Sequence, residues 1–199
     1  MSELHEALSQ IREIRTRIES TQAFRGYRAV PTAASGVFAL AAAFAQHLWI
    51  DTGDLRSYVW LWVGCALASM ALAGIAMAVH CTQSASPLTR ARSLLAIAKL
   101  GAPLAVGALI TWILVRTAPE AGWVLPGLWQ LLFALGLFAS ASLLPRAILG
   151  VALFYVATGA FVLALGPRAL APSSMGVPFA VGQVAAAMIL ALARERSDA

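Results

Sequence analysis

The stretch SYVWLWVGCALASMALAGIAMAV, residues 57–79, contains no Asp, Glu, Lys, Arg or His. At a rise of 1.5 Å per residue, a helix of this length is about 35 Å long, and the hydrocarbon core of a bilayer is about 30 Å thick. Similar apolar stretches recur along the chain, and together they predict spans at 29–50, 57–79, 94–115, 123–144, 147–166 and 175–193. The sequence therefore predicts an all-α integral membrane bundle of six transmembrane helices.

The composition supports this interpretation and excludes several function classes. Of the 199 residues, 60% are hydrophobic and 12% are charged, against roughly 45–50% and 25% in a soluble domain. All nine Asp and Glu residues lie outside the predicted spans, which argues against a transporter that binds protons or cations through a carboxylate at depth. The net charge of +5 is spread over arginines beside the ends of spans, so binding of nucleic acid is not predicted.

Signatures of catalysis or of a cofactor site are missing from the sequence. The chain has no zinc-protease helix motif, no Gly-x-Ser-x-Gly nucleophile turn and no Cys-x-x-Cys pair. Cys65 and Cys81 lack metal-ligand spacing, and His47 and His80 are expected at opposite membrane faces. We therefore predict a protein that is not an enzyme and that carries no metal or cofactor.

The distribution of Lys and Arg predicts the orientation in the membrane. Eleven of them lie in the N-terminal tail, the second loop with Lys99, the fourth turn and the C-terminal tail, whereas Arg56, Arg116 and Arg168 lie on the other side. Because positive residues stay in the cytoplasm, both termini are expected to be cytoplasmic in a bacterial inner membrane. The resulting organisation is a cytosolic helix and membrane approach (1–28), a six-helix domain (29–193) and a cytosolic tail (194–199).

An amphipathic helix is predicted before the first span. Its apolar residues recur at spacings of three and four and form one stripe, and charges of both signs cover the other faces. The stripe consists of Leu4, Leu8, Ile11, Ile14 and Ile18. It has three possible roles: packing against the spans, self-association, or docking of a protein partner.

Polar side chains from three predicted spans share one layer of the outer half of the bundle. At 1.5 Å per residue they lie about 10–16 Å below the nearest outer helix end, and Trp129 lies near them. The candidate ligand-binding residues are therefore Trp129, Gln130, Tyr155, Thr158 and Gln183. Either they form hydrogen bonds between helices, or they border an outward-facing pocket for a small apolar solute. Gly176, Pro178 and Gly182 are expected to interrupt the sixth helix beside that pocket.

Small-xxx-small pairs are also present in the predicted spans. Gly64xxxAla68 is one of them, and such pairs allow helices to approach closely. In so alanine-rich a chain they arise easily by chance, so they do not predict which helices touch.

Four short motifs carry a resemblance to known proteins. They are RGY at 25–27, LPGLWQ at 125–130, LPR at 144–146, and MGVPF at 175–179 followed by Gly182-Gln183. Over nearly its full length the chain resembles a group of short six-span bacterial membrane proteins, which implies the fold and, from gene neighbours of the group, a regulatory role. Its six spans in about 200 residues, with Ala39xxxAla43 in the first, also look like the substrate-binding subunits of vitamin-uptake transporters.

Two functions remain open at this point. The first is a non-enzymatic membrane partner or regulatory protein that uses the N-terminal helix as its contact. The alternative is a binding or transport component for a small, largely apolar solute, with a pocket in the outer half of the bundle. Membrane lipids are expected partners in both cases.

Overall fold

The protein is represented by a computed structural model, which describes residues 29–51, 53–83 and 87–198. Within these ranges, the side chains of residues 80–83, 87–94, 96, 97, 194 and 196–198 are not described. The predicted amphipathic helix, with Leu4, Leu8, Ile11, Ile14 and Ile18, lies outside the described residues, and its role stays a prediction.

The described chain consists of α-helices joined by short connections, and these parts contain no strand. The helices are α1 (Ala29–Trp49), α2 (Leu55–Gln83), α3 (Pro87–Thr117), α4 (Leu125–Ala139), α5 (Ile148–Ala164) and α6 (Pro172–Asp198). Three short 3-10 helices connect them at Pro119–Val124, Ala141–Leu143 and Gly166–Leu170. The prediction of an all-α fold is confirmed.

Five helical segments of the described chain are long and apolar enough to cross a membrane. They are Ala29–Trp49, Leu55–Val79, Ala98–Thr117, Pro119–Ala139 and Pro172–Ala193. The apolar helix α5 has 17 residues, which makes it about 25 Å long and shorter than a typical hydrocarbon core. The structure thus shows five helices compatible with membrane spans, and a sixth, shorter apolar helix.

Asp54 caps the start of α2, and Pro145 limits the helical structure that follows α4. Asp54 accepts a hydrogen bond from the Ser57 backbone N–H (3.1 Å) at the start of α2, as an N-cap residue does. α4 ends at Ala139, earlier than the predicted limit of residue 144. Leu144 is extended (φ −119°, ψ 158°), because the ring of Pro145 disfavours helical geometry at the residue before it.

Four helices, α1, α4, α5 and α6, form the tightly packed part of the molecule, which we call the core group. α1 packs along α6, and α4 along α5. A Cβ atom added at Gly127 of α4 would lie 2.7 Å from the Gly159 carbonyl oxygen of α5, and one at Gly176 of α6 would lie 2.5 Å from the Ala43 Cβ of α1. These contacts require glycine, because any side chain would collide with the opposite helix.

The other two helices, α2 and α3, pack against the core group over only part of their length. α3 packs on α4 through a stripe of buried residues four apart, Pro103, Gly107 and Thr111. Among the α2 side chains that are described, only Tyr58 and Trp62 are buried, so α2 is anchored at its first turns. α2 and α3 contact each other at few positions, and a cleft is left between this pair and the core group.

The expected interruption of the sixth helix is wrong. α6 runs continuously from Pro172 to Asp198 with Pro178 inside it. The proline removes one backbone donor, and the carbonyl that loses its partner belongs to Ser174, four residues earlier. That carbonyl accepts a hydrogen bond from the Gln130 side chain (2.9 Å). A neighbouring helix therefore supplies the missing donor, and the helix continues.

Candidate ligand-binding cleft

Two adjoining cavities occupy the space between the α2–α3 pair and the core group. The first, which we call the Trp cavity, has a volume of about 260 Å³ and is bordered by Trp62 and Trp129. The second, the Tyr cavity, has a volume of about 330 Å³ and reaches Tyr155 of α5. The residues that line both are Ser35, Ser69, Met70, Leu104, Phe133 and Gln183. The two cavities therefore form one cleft.

The cleft has an apolar lining without formal charge. No Asp, Glu, Lys, Arg or His is among the described residues that line either cavity. Moving an unpaired charge into such surroundings is strongly unfavourable, and small-molecule sites are mostly apolar with a few placed polar groups. The lining therefore suits an uncharged, largely apolar molecule.

Gln183 is the candidate residue that the structure places most centrally. It is half-buried on α6 and lines both cavities. α1 passes close to it, since a Cβ atom at Gly36 would lie 3.2 Å from the Gln183 Cβ. The Gln183 side chain makes no hydrogen bond to another residue of the described chain. Its amide is therefore a polar group available to a molecule in the cleft.

Gln130 has a different environment, although the sequence places it at a similar depth. It is fully buried, and its Nε2 atom is engaged with the Ser174 carbonyl oxygen at 2.9 Å. Its Oε1 atom has no partner among the described residues, and the residue lines neither cavity. In this structure Gln130 joins α4 to α6 beneath Pro178.

Tyr155 and Thr158 lie on α5 and face different surroundings. Tyr155 is fully buried and lines the Tyr cavity, with its ring 5.0 Å from Phe133 and 5.2 Å from Phe179, measured between ring centroids. Its hydroxyl has no partner among the described residues. Thr158 donates to the Phe154 carbonyl oxygen of its own helix (3.0 Å) and lines neither cavity. The structure thus brings Trp129, Tyr155 and Gln183 to the cleft, but not Gln130 or Thr158.

Stacked aromatic rings border the Trp cavity and fix one end of the cleft. The Trp129 ring lies parallel to Tyr58 (interplanar angle 8°, centroids 6.3 Å apart), and Tyr58 also contacts Trp62. Trp129 Nε1 donates to the Thr111 hydroxyl (2.9 Å), which itself donates to the Gly107 carbonyl oxygen (2.7 Å). These bonds satisfy the Trp129 indole N–H and fix the position of its ring, whereas the buried Tyr58 hydroxyl has no partner among the described residues.

A buried glutamine joins the first turns of α2 to the rest of the bundle through hydrogen bonds. Gln46 of α1 accepts a hydrogen bond from Trp62 Nε1 (2.9 Å) and donates to the Leu170 carbonyl oxygen (2.7 Å). One side chain thereby links α1, α2 and the connection between α5 and α6. We call Gln46, Trp62 and Leu170 the Gln46 clamp.

Several residues of the cleft were not among the sequence-derived candidates. They are Gln46, Trp62 and Thr111, which hold one end in place, and Ser35 and Ser69, which line both cavities. A glutamine or threonine inside an apolar span is itself a signal for an interhelical hydrogen bond. The sequence therefore contains a signal for Gln46 and Thr111. Ser35 and Ser69 resemble many other small residues of these spans.

Comparison with protein-family models, with curated proteins and with solved structures finds no match to this chain. Its function is therefore inferred from the cleft itself.

Proposed function

We propose that this protein is a non-enzymatic, six-span membrane protein that binds a small, largely apolar molecule in the cleft. The observation that carries the proposal is the pair of adjoining cavities, of about 260 and 330 Å³, lined without an acidic or basic side chain. Ligand pockets commonly have volumes of about 300–1,000 Å³ and apolar walls with a few polar groups. The cleft matches that description, with the Gln183 amide and the Tyr155 hydroxyl as polar groups that have no partner among the described residues.

The packing of α2 supports a binding role over a purely structural one. Only 6% of the most apolar stretch of α2 is buried inside the molecule, compared with 44% for Pro172–Ala193 of α6. A helix that served only to complete the bundle would bury a full face against its neighbours. α2 is instead fixed at the Gln46 clamp and leaves space along the rest of its length.

The membrane arrangement is part of the proposal. We place the protein in a bacterial cytoplasmic membrane with α5 as the sixth span and both termini cytoplasmic, on the basis of the Lys and Arg distribution. Single cysteines introduced at exposed positions of the 51–56, 116–122 and 167–174 segments, such as Asp51, Glu120 and Arg168, should react with a membrane-impermeant thiol reagent added to intact cells. Cysteines at 84–86 should not. The opposite labelling pattern would invert the orientation.

The binding function is tested by filling the cleft without disturbing the fold. Ala66 lines the Trp cavity, whereas Ala68 lies on the same helix, exposed and outside both cavities. We expect Ala66→Phe to deplete a specific molecule that co-purifies with the protein from native membranes, and Ala68→Phe to retain it. Mass spectrometry of extracts from the three purified proteins gives the measurement. Identical extracts would contradict the proposal.

A partner or regulatory role for the N-terminal helix is a second proposal, and it is supported by the sequence alone. The stripe of Leu4, Leu8, Ile11, Ile14 and Ile18 could dock a protein or a second copy of the chain. Replacing Leu8 and Ile11 by Glu should then abolish co-purification of that partner and leave the cleft ligand in place. If the partner is retained, the stripe is not its contact.

A further inference from the structure

Two glutamines of the same apolar bundle differ in whether their side-chain amide groups form hydrogen bonds. The Gln130 amide nitrogen is bonded to the Ser174 carbonyl that Pro178 leaves free. The Gln183 side chain lines both cavities and has no hydrogen bond to another described residue. In apolar surroundings an amide without a partner is unfavourable, so a ligand that supplies one would be favoured at Gln183.

The serines at the junction of the two cavities can only accept further hydrogen bonds. The Ser35 hydroxyl donates to the Thr32 carbonyl oxygen (2.6 Å), and the Ser69 hydroxyl donates to the Cys65 carbonyl oxygen (2.9 Å). Both hydroxyl protons are therefore used, and the free donor at the junction is the Gln183 amide. This combination favours an oxygen on the ligand that accepts from Gln183.

A second polar group without a partner, the Tyr155 hydroxyl, also lines the Tyr cavity. Tyr155 is fully buried, lines the Tyr cavity, and its hydroxyl has no partner among the described residues. That hydroxyl lies against Gly182, where an added Cβ would collide with it. Gly182 precedes Gln183 in α6 and lines the same cavity. The Tyr cavity is therefore lined by two side chains with unpartnered polar groups, Tyr155 and Gln183.

We propose that the ligand is an uncharged lipid whose single hydroxyl or carbonyl oxygen accepts a hydrogen bond from Gln183, while its apolar body fills the two cavities. This inference rests on the proposed binding function. A charged head group is excluded because no described side chain of opposite charge lines the cleft. α2 and α3 contact each other at few positions, and we infer that a lipid enters the cleft between these two helices.

Chain-brominated probes test this inference, because bromine quenches tryptophan fluorescence on contact. The full chain in lipid nanodiscs would carry Trp→Phe changes at the four tryptophans outside the cavity lining, Trp49, Trp60, Trp112 and Trp123, which leaves Trp62 and Trp129 beside the Trp cavity. The probes are brominated 1-hexadecanol, n-hexadecane and hexadecyltrimethylammonium. We expect the brominated alcohol to give saturable quenching at a lower concentration than the brominated alkane. The ammonium probe should give no saturable quenching.

The decisive variant is Gln183→Leu, with Gln183→Met as a second variant should the first fail to fold. One lost hydrogen bond should raise the apparent Kd for the alcohol about 3- to 10-fold and leave that for the alkane unchanged. Gln130→Leu is the matched control, because Gln130 lines neither cavity, and it should change neither value.

The possible outcomes separate this inference from the proposed function. An alcohol that binds no better than the alkane, or a Gln183→Leu effect that is equal for both, overturns the hydrogen-bond assignment. The binding function then still stands, provided that quenching saturates and that Ala66→Phe abolishes it. Saturable quenching by the ammonium probe would show that the cleft binds a charged molecule, and it would refute the assignment of an uncharged ligand. Absence of saturable quenching by any probe refutes the binding function itself.

Discussion

The core group and α2 are built from the same residue types but are packed in opposite ways. Gly127, Gly159 and Gly176 in the core group each sit so close to a facing helix that an added Cβ would lie within about 3 Å of it, whereas Gly64 and Gly74 in α2 have nothing within 4 Å. Close packing gives the core group one well-defined arrangement. The space beside α2 is what makes a ligand site possible. Glycine content alone therefore says little about packing, because the facing helix decides it.

The largest expected effect is at the contact between α4 and α5. An alanine at Gly127 would place its Cβ 2.6 Å from the Leu163 Cγ and 2.7 Å from the Gly159 carbonyl oxygen. Forcing this overlap should destabilise the fold by about 1–3 kcal/mol or more, because a backbone oxygen moves only with its helix. Unfolding of detergent-solubilised protein followed by circular dichroism measures the effect.

The matched control for this prediction is Gly64→Ala on α2. With no neighbour within 4 Å, the alanine should leave stability unchanged or raise it by up to about 1 kcal/mol through helix propensity. If the two alanines destabilised the protein equally, the distinction between the core group and α2 would be wrong.

The second largest effect is expected at the Gln46 clamp, where α2 joins the core group. Gln46→Leu removes two hydrogen bonds and leaves the Trp62 indole N–H and the Leu170 carbonyl unpaired. We expect a loss of about 2 kcal/mol and faster hydrogen exchange in the first turns of α2. Trp62→Phe keeps the bond from Gln46 to Leu170 but also removes part of a buried ring. Its loss of stability should be comparable, and the faster exchange should be confined to α2 and spare the Gly166–Leu170 connection. Unchanged exchange in α2 would mean that the clamp does not hold it.

The sequence predicts the helices well, because span length, hydropathy and the position of charges are local properties. Five of the predicted spans correspond to helical segments long and apolar enough to cross a membrane. The sequence-based predictions fail where a contact from another helix determines the local structure. The missing donor of Pro178 is visible in the sequence and predicts an interruption of α6. The donor that replaces it is the amide of Gln130, which lies 44 residues before the acceptor Ser174 in the chain.

The candidate site was predicted only in part, for a similar reason. Depth along a span follows from residue number, and it placed all five candidates in one layer, but rotation about the helix axis is set by packing between helices. Trp129, Tyr155 and Gln183 face the cleft, whereas Thr158 is rotated away and bonds to its own helix. The role of these residues in binding stays a prediction.

A smaller effect, of about 1 kcal/mol, is expected from the bond that bridges the proline of α6. Gln130→Leu leaves the Ser174 carbonyl without a donor, and single interhelical bonds in membrane proteins contribute about 0.6–1.7 kcal/mol. In a Pro178→Ala background, the restored N–H of residue 178 can donate to Ser174, so the same substitution should cost less. A double-mutant cycle on unfolding free energies measures the difference. Additive effects would show that Gln130 does not compensate for the proline.

The smallest effect is expected at the exposed first turn of α2, where Asp54 caps the helix. Hydrogen bonds from the Ser57 side chain and backbone N–H hold the pKa of the Asp54 carboxyl below its ordinary value of 3.8. Because the pKa is lower in the folded state, the carboxylate stabilises the folded protein fully above the ordinary value, and this contribution is lost as the pH falls through the lowered pKa.

Asp54→Asn tests that pH dependence, since asparagine caps helices about as well as aspartate and does not titrate. The thermal midpoint of the wild type should decline slightly more than that of Asp54→Asn as the pH is lowered from 5 to about 3, a range that includes the ordinary Asp pKa. Asp54→Ala should lower the midpoint modestly at neutral pH, because the Ser57 N–H loses its acceptor. Parallel pH profiles for the wild type and Asp54→Asn would show that the stability of the protein does not depend on this charge.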